Sequence, residues 1–582
     1  MYEDLLLKVN KPGRYIGREW NTPRKDFRAC RIKFGLCFPD LYEVGMSNLG
    51  LRILYGILNK MEDTSCERFF SPGRDMEEVI RQEGKEIRSL ESGSRLGEFD
   101  LIGFSLGSEL CFTNVLNVLD LAGMPLKSEM RDNSHPLVIG GGPCSLNPEP
   151  MHAFFDLFVI GEAEEALCEI VDVYRSHQAE YKSFLISKKE LLLKLSRIEG
   201  VYIPSFYKTE YSHAGDIRKF EPEDNSVPRI VKKRIVAEFE NSYFPSDWLV
   251  PYIQIVHDRL TMELMRGCPN RCRFCQARSQ YFPLRQRSVE KVFSLCQESY
   301  RKTGYEEISL IGLSVSDYPE IEELLRILIL TFKQKGVSVS LPSVKPKTLV
   351  GQLSSLISTI KKTGLTFAPE AATERLRLIL GKDFNEDEFF DVLEKAYFSG
   401  YQHVKLYFMI GLPGENEADL DAILDFSARV SGMRKKIGLG AAQVNISVNA
   451  LIPKPHTPFQ WLGMEDIETV RYKQDYLRKK NRNRKLKLSF HNCYMSYLEG
   501  VFSRGDRRLS EVVMRAFKNG ARFDAWDESF NFERWLEAFR HCGIDPDSYI
   551  REKDADKLMP WSFIDTGVPH DYLLSEFNKA IA

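Results

Sequence analysis

No stretch of this 582-residue chain reaches the roughly 18 consecutive apolar residues needed to cross a bilayer; the longest apolar segments, such as Leu324 to Leu330, have charges within a few positions. The amino terminus, Met1-Tyr-Glu-Asp-Leu-Leu-Leu-Lys8, has no basic segment followed by an apolar run, so no signal peptide is expected and a cytoplasmic location is. Neither sign of charge dominates. Lys and Arg number 80 against 82 Asp and Glu, a net charge of −2, so global electrostatics argues neither for nor against a nucleic-acid partner. Internal repeats and low-complexity runs are absent, which excludes solenoid and fibrous classes. What is present is ordinary globular composition, 43% hydrophobic and 28% charged, at a length that predicts two to four domains.

The first 180 residues read as alternating strands and helices. Strands are predicted at Ile32–Phe38, Leu101–Ser105, Leu137–Gly140 and Leu157–Ile160, with a helix from about Leu49 to Met61. Short apolar strands separated by helices predict a doubly wound parallel sheet. Its ligands would sit at the carboxyl ends of the strands, where Asp40, Ser105, Gly140, Gly141, Gly142 and Gly161 fall. Residues 181–250, rich in proline and charge, read as a connecting segment with short strands. From 251 to 470 the rhythm returns in longer units. Strands near 260–264, 308–313, 337–341, 365–368, 404–410 and 444–451 predict a partial (β/α)6 barrel, and Asn385 followed by Glu388 has the form of a helix start. Residues 471–582 are expected to form a mostly helical carboxyl-terminal region with one strand, Lys487–Phe490.

Of 12 cysteines, nine are scattered and three lie within eight residues. The segment is Arg266-Gly-Cys268-Pro-Asn-Arg-Cys272-Arg-Phe-Cys275, directly after the strand at 260–264. Three thiolates on one loop hold three irons of a cubane cluster, and the fourth iron keeps an open position for a substrate-like ligand. Arg266, Arg271 and Arg273 would offset the cluster's negative charge. The competing reading, a structural zinc site, requires a fourth ligand at zinc spacing; the nearest histidine, His257, precedes the triplet.

This C-x3-C-x2-C pattern with an aromatic before the last cysteine resembles the radical SAM superfamily. Phe38–Gly50, Gly140–Glu149 and Ser503–Arg508 extend the resemblance, over about residues 30 to 560, to an uncharacterised bacterial family that joins a cobalamin-binding-like, flavodoxin-like domain to a radical SAM barrel. The resemblance implies a 4Fe-4S cluster on Cys268, Cys272 and Cys275 that reductively cleaves S-adenosylmethionine (SAM). It implies SAM contacts from Phe274, from Gly312 and Ser314 (where the usual Gly-Gly-Glu is missing), from Glu370 to the ribose hydroxyls, from Arg375, and from the Gly411 to Gly414 turn. A low-potential electron donor of flavodoxin or ferredoxin type is implied with it.

For the amino-terminal domain, Asp40-x-Tyr42-x-x-Gly45 resembles the cobalamin signature Asp-x-His-x-x-Gly, with tyrosine in place of the cobalt-ligating histidine. Ser105, Gly140 to Gly142 and Gly161 would hold the corrin and its tail. The alternatives are an empty structural remnant with Tyr42 in the core, or a second cluster on Cys37, Cys111 and Cys144 as in methylthiotransferases. Lesser features leave both functional and structural readings open: the run Arg471–Leu488, with nine basic residues to one acid, as an RNA contact or a solvated face; His456; His491 and Cys493; and Arg504, Asp506 and Arg507. The expected function is a radical SAM enzyme on an unknown substrate, RNA or a small molecule, with methyl transfer or rearrangement among the outcomes. The alternatives are methylthiotransferase-like modification and a non-catalytic Fe-S scaffold that binds RNA.

Overall fold

Strand Ile32–Phe38 (β1) is buried along nearly its whole length, which requires covering on both faces. In the computed structural model, which describes residues 3–340, 365–382 and 384–582, β1 is the second strand of a sheet ordered β2-β1-β3-β4-β5-β6. The others are Thr64–Phe70 (β2), Leu101–Ser105 (β3), Leu137–Gly141 (β4), Leu157–Val159 (β5) and Val201–Tyr202 (β6). The first five are parallel and β6 runs antiparallel to β5. Helix Leu49–Lys60 begins at Asn48, whose side chain accepts from the Leu51 amide at 2.9 Å. A hairpin, Tyr207–Tyr211 (β7) with Ile217–Pro222 (β8), and a short strand Val231–Lys232 (β9) follow.

The chain divides into two compact units. The first comprises 1–258, 501–549 and 555–567; the second comprises 259–500, 550–554 and 568–582. The segment 181–250 therefore lies within the first unit, and the expected carboxyl-terminal region 471–582 is shared between the two. The reason is packing. Phe502 packs edge-to-face with both Phe112 and Trp535, at 5.9 and 5.0 Å between ring centroids. Asn114 accepts from the Phe523 amide at 2.8 Å and donates to the Pro39 carbonyl at 2.9 Å.

In the second unit, Leu260–Glu263 (β10), a two-residue ladder of Met265–Arg266 (β11) with Arg285–Gln286 (β12), Glu307–Ile311 (β13) and Ser338–Ser340 (β14) come first. Strands β10-β13-β14 form a parallel sheet. Strands Leu365–Glu370 (β15), His403–Ile410 (β16), Gln443–Ala450 (β17) and Leu486–Phe490 (β18) form a second parallel sheet. The six strands expected here are present, and β18 extends the series by one more parallel strand. Asn385 caps helix Glu386–Phe398 through the Glu388 amide at 3.0 Å. Among the described residues no helix is long and apolar enough to cross a membrane.

Candidate active site

Gly267 introduces the cysteine loop with φ +93°. A Cβ there would lie 2.8 to 2.9 Å from backbone atoms of Leu284, Pro283 and Tyr281, so only glycine fits between β11 and the loop. Gly267→Ala is expected to cost about 1–3 kcal/mol locally and to displace the cysteines. Iron content after reconstitution checks this; full occupancy in the variant would contradict it.

The loop is fastened from several sides. The Arg273 amide donates to the Leu380 carbonyl at 2.9 Å. The Arg273 guanidinium donates to the Leu378 and Ile379 carbonyls, both at 2.8 Å, and pairs with Glu576 at 3.0 Å. Arg266 pairs with Glu263 at 2.9 Å. These two arginines, expected to offset the cluster's charge, are held beside the loop by helix carbonyls and carboxylates. Phe274 packs on an apolar cluster of Leu376, Leu380, Leu412 and Phe459. Ser279 donates to the carbonyl of His456, which is buried, so His456 belongs to the loop's support.

The Cys272 and Cys275 thiols both lie in the electrostatic field of Cys268. Burial pushes the Cys272 thiol up to about 11, with Cys275, Cys268 and Glu370 adding to the rise and Lys382 opposing it. Burial also raises Cys275, with the Cys268 charge adding to it and the Arg278 and Ala277 amides opposing. Among the described residues no three His, Cys, Asp or Glu side chains converge in the manner of a single-ion site. Three thiols on one loop are the donor type that a multi-iron cluster takes, each on a different metal atom.

Glu370 ends β15 at φ +67°, beyond a register shift after Phe367. A non-glycine residue in this region is strained, and such strain persists where surrounding structure imposes it. The turn points the carboxylate toward Lys382, 3.4 Å away. Burial raises the Glu370 carboxyl and Lys382 opposes the rise. Lys382 was not anticipated from sequence; its nearest signal was Gly381, a left-handed helix end whose Cβ would touch the Arg271 carbonyl at 2.9 Å. Arg375 donates to Asp419 at 2.5 Å and flanks Gly414. Gly411, at φ +81°, donates its amide to Glu415 at 2.8 Å. Gly312 lies against Met265, where a Cβ would meet Cγ at 2.7 Å. Ser314 is buried and donates to Asp317 at 2.7 Å.

The residues singled out for a corrin do not form a cradle. Tyr42 is buried, stacks edge-on against Phe70, and donates its hydroxyl to Glu19 at 2.9 Å. A Cβ on Gly45 would strike Phe70 at 2.2 Å, one on Gly140 would strike Phe158 at 2.5 Å, and one on Gly161 would strike the Arg234 carbonyl at 2.3 Å. Gly142, at φ +99°, abuts the Leu106 backbone, and the Gly141 carbonyl accepts from the Leu106 amide at 2.7 Å. Asp40 accepts from the Trp526 indole at 3.0 Å. Ser105 ends β3 half-buried. Gly45, Gly140, Gly142 and Gly161 are thus close-packed against the chain's own atoms, whereas a Cβ on Gly141 would meet only the Val159 carbonyl, at 3.8 Å. Tyr42→His is expected to destabilise by about 1–3 kcal/mol, since it removes a buried hydroxyl from Glu19. Preparations supplied with cobalamin should keep the wild-type visible spectrum; a new nitrogen-ligated cobalt signal would contradict this placement.

The second-cluster alternative fares no better. Burial alone pushes Cys37 up, and burial, with Asp40 and Glu109 adding, takes Cys111 to about 12; Cys144 is buried as well. Such thiols act as small hydrophobes. A cavity of about 800 Å³ in the first unit opens at the amino-terminal end of β4 and β5, away from the carboxyl edge. Its charges are matched: Arg131 and Lys188 on Asp156, Arg507 on Glu149, Lys127 on Glu511. Asp506 pairs with Arg508 at 2.6 Å, and Arg504 is buried. The basic run falls on helix Ile467–Lys480 and β18. Within it Lys473 bridges Glu415 and Glu465, Lys480 pairs with Asp421 and Arg478 with Asp475. His491 bonds Ser496 at 2.8 Å, and Cys493 is buried.

Residues 262–427 match the family model of the radical SAM superfamily, and residues 50–204 match the model described as radical SAM proteins, N-terminal. An uncharacterized protein of Methanocaldococcus jannaschii is 27% identical over 511 residues, 88% of this chain and 97% of that protein. The ribosomal protein uS12 methylthiotransferase RimO of Desulfotalea psychrophila is 25% identical over 181 residues, 29% of this chain and 40% of that protein. Among solved structures, the apo, selenomethionine-labelled cobalamin-dependent S-adenosylmethionine radical enzyme OxsB is similar over 94% of this chain and 83% of its own, with TM-score 0.48 and 12% identity. The radical S-adenosylmethionine methyltransferase TsrM from Kitasatospora setae, with cobalamin and a 4Fe-4S cluster bound, covers 72% of each chain with TM-score 0.45 and 13% identity. These structural likenesses assign no ligand to this chain.

Proposed function

We propose that this protein, a radical SAM superfamily enzyme, uses Cys268, Cys272 and Cys275 to hold a 4Fe-4S cluster beside which Glu370 receives S-adenosylmethionine. The observation that carries the reading is the set of three cysteines on one loop anchored by Gly267, with the strained, half-buried Glu370 carboxylate near enough to Cys272 to act on its thiol. When bound, cluster and SAM together supply one-electron cleavage of a carbon–sulfur bond to methionine and a 5′-deoxyadenosyl radical, which takes hydrogen from a substrate carbon.

The chain's own residues do the holding. Gly267 and Gly381 let the backbone approach the loop, and Arg273 ties the loop to helix Glu374–Leu380. Glu370, an acceptor at both oxygens, matches a pair of ribose hydroxyls, and Lys382 stabilises its charge in a site that burial would otherwise neutralise. Phe274, anchored on a buried apolar cluster, and the Gly411 turn are the groups that would meet an adenine. An external flavodoxin- or ferredoxin-type donor supplies the electron. No step is routed through cobalamin, because the glycines and Tyr42 are used internally. Cys37, Cys111 and Cys144 are buried, and no step is routed through a second cluster on them.

The test is anaerobic reconstitution with iron and sulfide, reduction with dithionite and addition of SAM. The expected products are 5′-deoxyadenosine and methionine. Their absence from protein with a fully loaded cluster rejects the proposal.

A further inference from the structure

The side chain of Asn270, between the first and second cysteines, spends both amide protons. Its Nδ2 donates to the Cys268 sulfur at 3.2 Å and to Asp317 Oδ2 at 3.0 Å. The same Asp317 oxygen accepts from the Ser314 hydroxyl at 2.7 Å, and the Ser314 side chain is buried at the exit of β13. A carboxylate is an acceptor only. With the Asn270 amide turned the other way, its carbonyl oxygen would face the Asp317 carboxylate, and oxygen would oppose oxygen. Asp317 therefore selects the orientation that aims N–H at the sulfur, and Ser314 holds Asp317.

We propose that Asn270 is a positioning residue that sets the reduction potential of the cluster bound by Cys268, with Asp317 and Ser314 fixing its amide; this rests on the enzyme reading above. Reduction adds one electron to a cluster whose thiolate sulfurs share the added charge. A donor aimed at one sulfur stabilises the reduced state more than the oxidised one, and hydrogen bonds to the sulfurs are among the determinants of cluster potential. The bond joins the cluster to the β13 exit, so loop and strand end act on the cluster as one element.

The experiment is an anaerobic redox titration, with dithionite as the electron source, of reconstituted wild type, Asn270→Leu, Asp317→Asn and the double variant. Iron and sulfide are counted in each, and the potential is read from the magnetic resonance signal of the reduced cluster. Asn270→Leu keeps the side-chain size and removes the N–H. The expected result is unchanged iron content and a reduction equilibrium about tenfold less favourable, a shift of about 59 mV to more negative potential. Asp317→Asn should move the potential in the same direction by a smaller amount, because its own amide no longer selects the orientation. The double variant should match Asn270→Leu. Equal potentials in wild type and Asn270→Leu at equal iron content overturn the inference. Should Asn270→Leu lose iron, Asp317→Asn decides: an unmoved potential overturns the inference and a negative shift supports it. A wild-type protein that binds no iron overturns the enzyme reading itself and this inference with it.

Discussion

Cys272→Ala is expected to abolish both iron binding and 5′-deoxyadenosine formation, down to the level of a mixture without protein. The effect is complete because the loop supplies three sulfurs and a cluster already one ligand short does not tolerate losing a second. Cys268→Ala and Cys275→Ala should behave alike, since each thiol is a ligand of a different iron. Cys37→Ala is the control. That thiol lies in the core of the first unit, raised by burial alone, and its loss should leave iron content and product unchanged. The measurement is iron per chain with product quantified by chromatography. Wild-type iron content in Cys272→Ala would remove the cluster from this loop.

Glu19→Ala is expected to destabilise the first unit by about 3–5 kcal/mol, the cost of breaking a buried pair and leaving its partner charged. The Arg68 side chain is 1% exposed and Glu19 is 2% exposed, 2.7 Å apart. Glu19 also takes a second Arg68 nitrogen at 3.0 Å and the Tyr42 hydroxyl at 2.9 Å. Glu91 remains on Arg68 at 2.6 Å but does not reach those groups. Five of the six tryptophans, all but Trp461, lie in the first unit, so fluorescence-monitored denaturation of the full chain reports it selectively. Burial alone would raise the Glu19 carboxyl; Arg68 outweighs it and holds it below the usual range. The sign follows. A depressed folded value gives stability that is complete above the unfolded value of about 4.3 and is lost as pH falls through the folded value. Glu19→Gln should therefore destabilise at neutral pH and narrow its gap from wild type in acid.

That ion pair also explains where sequence reading stopped. Strands β1, β3 and β4 announced themselves as apolar runs between turn residues, and the structure places them within a residue of the reading. Strand β2, Thr64-Ser-Cys-Glu-Arg-Phe-Phe70, is buried throughout but carries Glu67 and Arg68. Arg68 is matched by Glu19 and Glu91, and Glu67 accepts from the Ser92 amide and hydroxyl, all distant in sequence, so no local pattern marks the strand as core. The cysteine loop and Glu370 were legible because spacing and strand position are local properties. Lys382, Asn270 and Asp317 were not, because their roles come from contacts made only in the folded chain. The glycines at 45, 140 and 161 show the limit of a local signal, for each lies against the chain's own atoms. A glycine at a strand end signals close approach, and sequence does not say whether a ligand or a neighbouring side chain approaches.

The division of the chain into interleaved segments bears on its biosynthesis. The path passes between the units five times, at residues 258, 500, 549, 554 and 567. Residues Phe523 and Trp526, which satisfy Asn114 and Asp40, emerge from the ribosome roughly 320 residues after the six-stranded sheet is complete. At about 5–20 residues per second the nascent sheet waits about 15–65 s with those groups unpartnered. The polypeptide thus matures late, and chaperone engagement should concentrate in that interval.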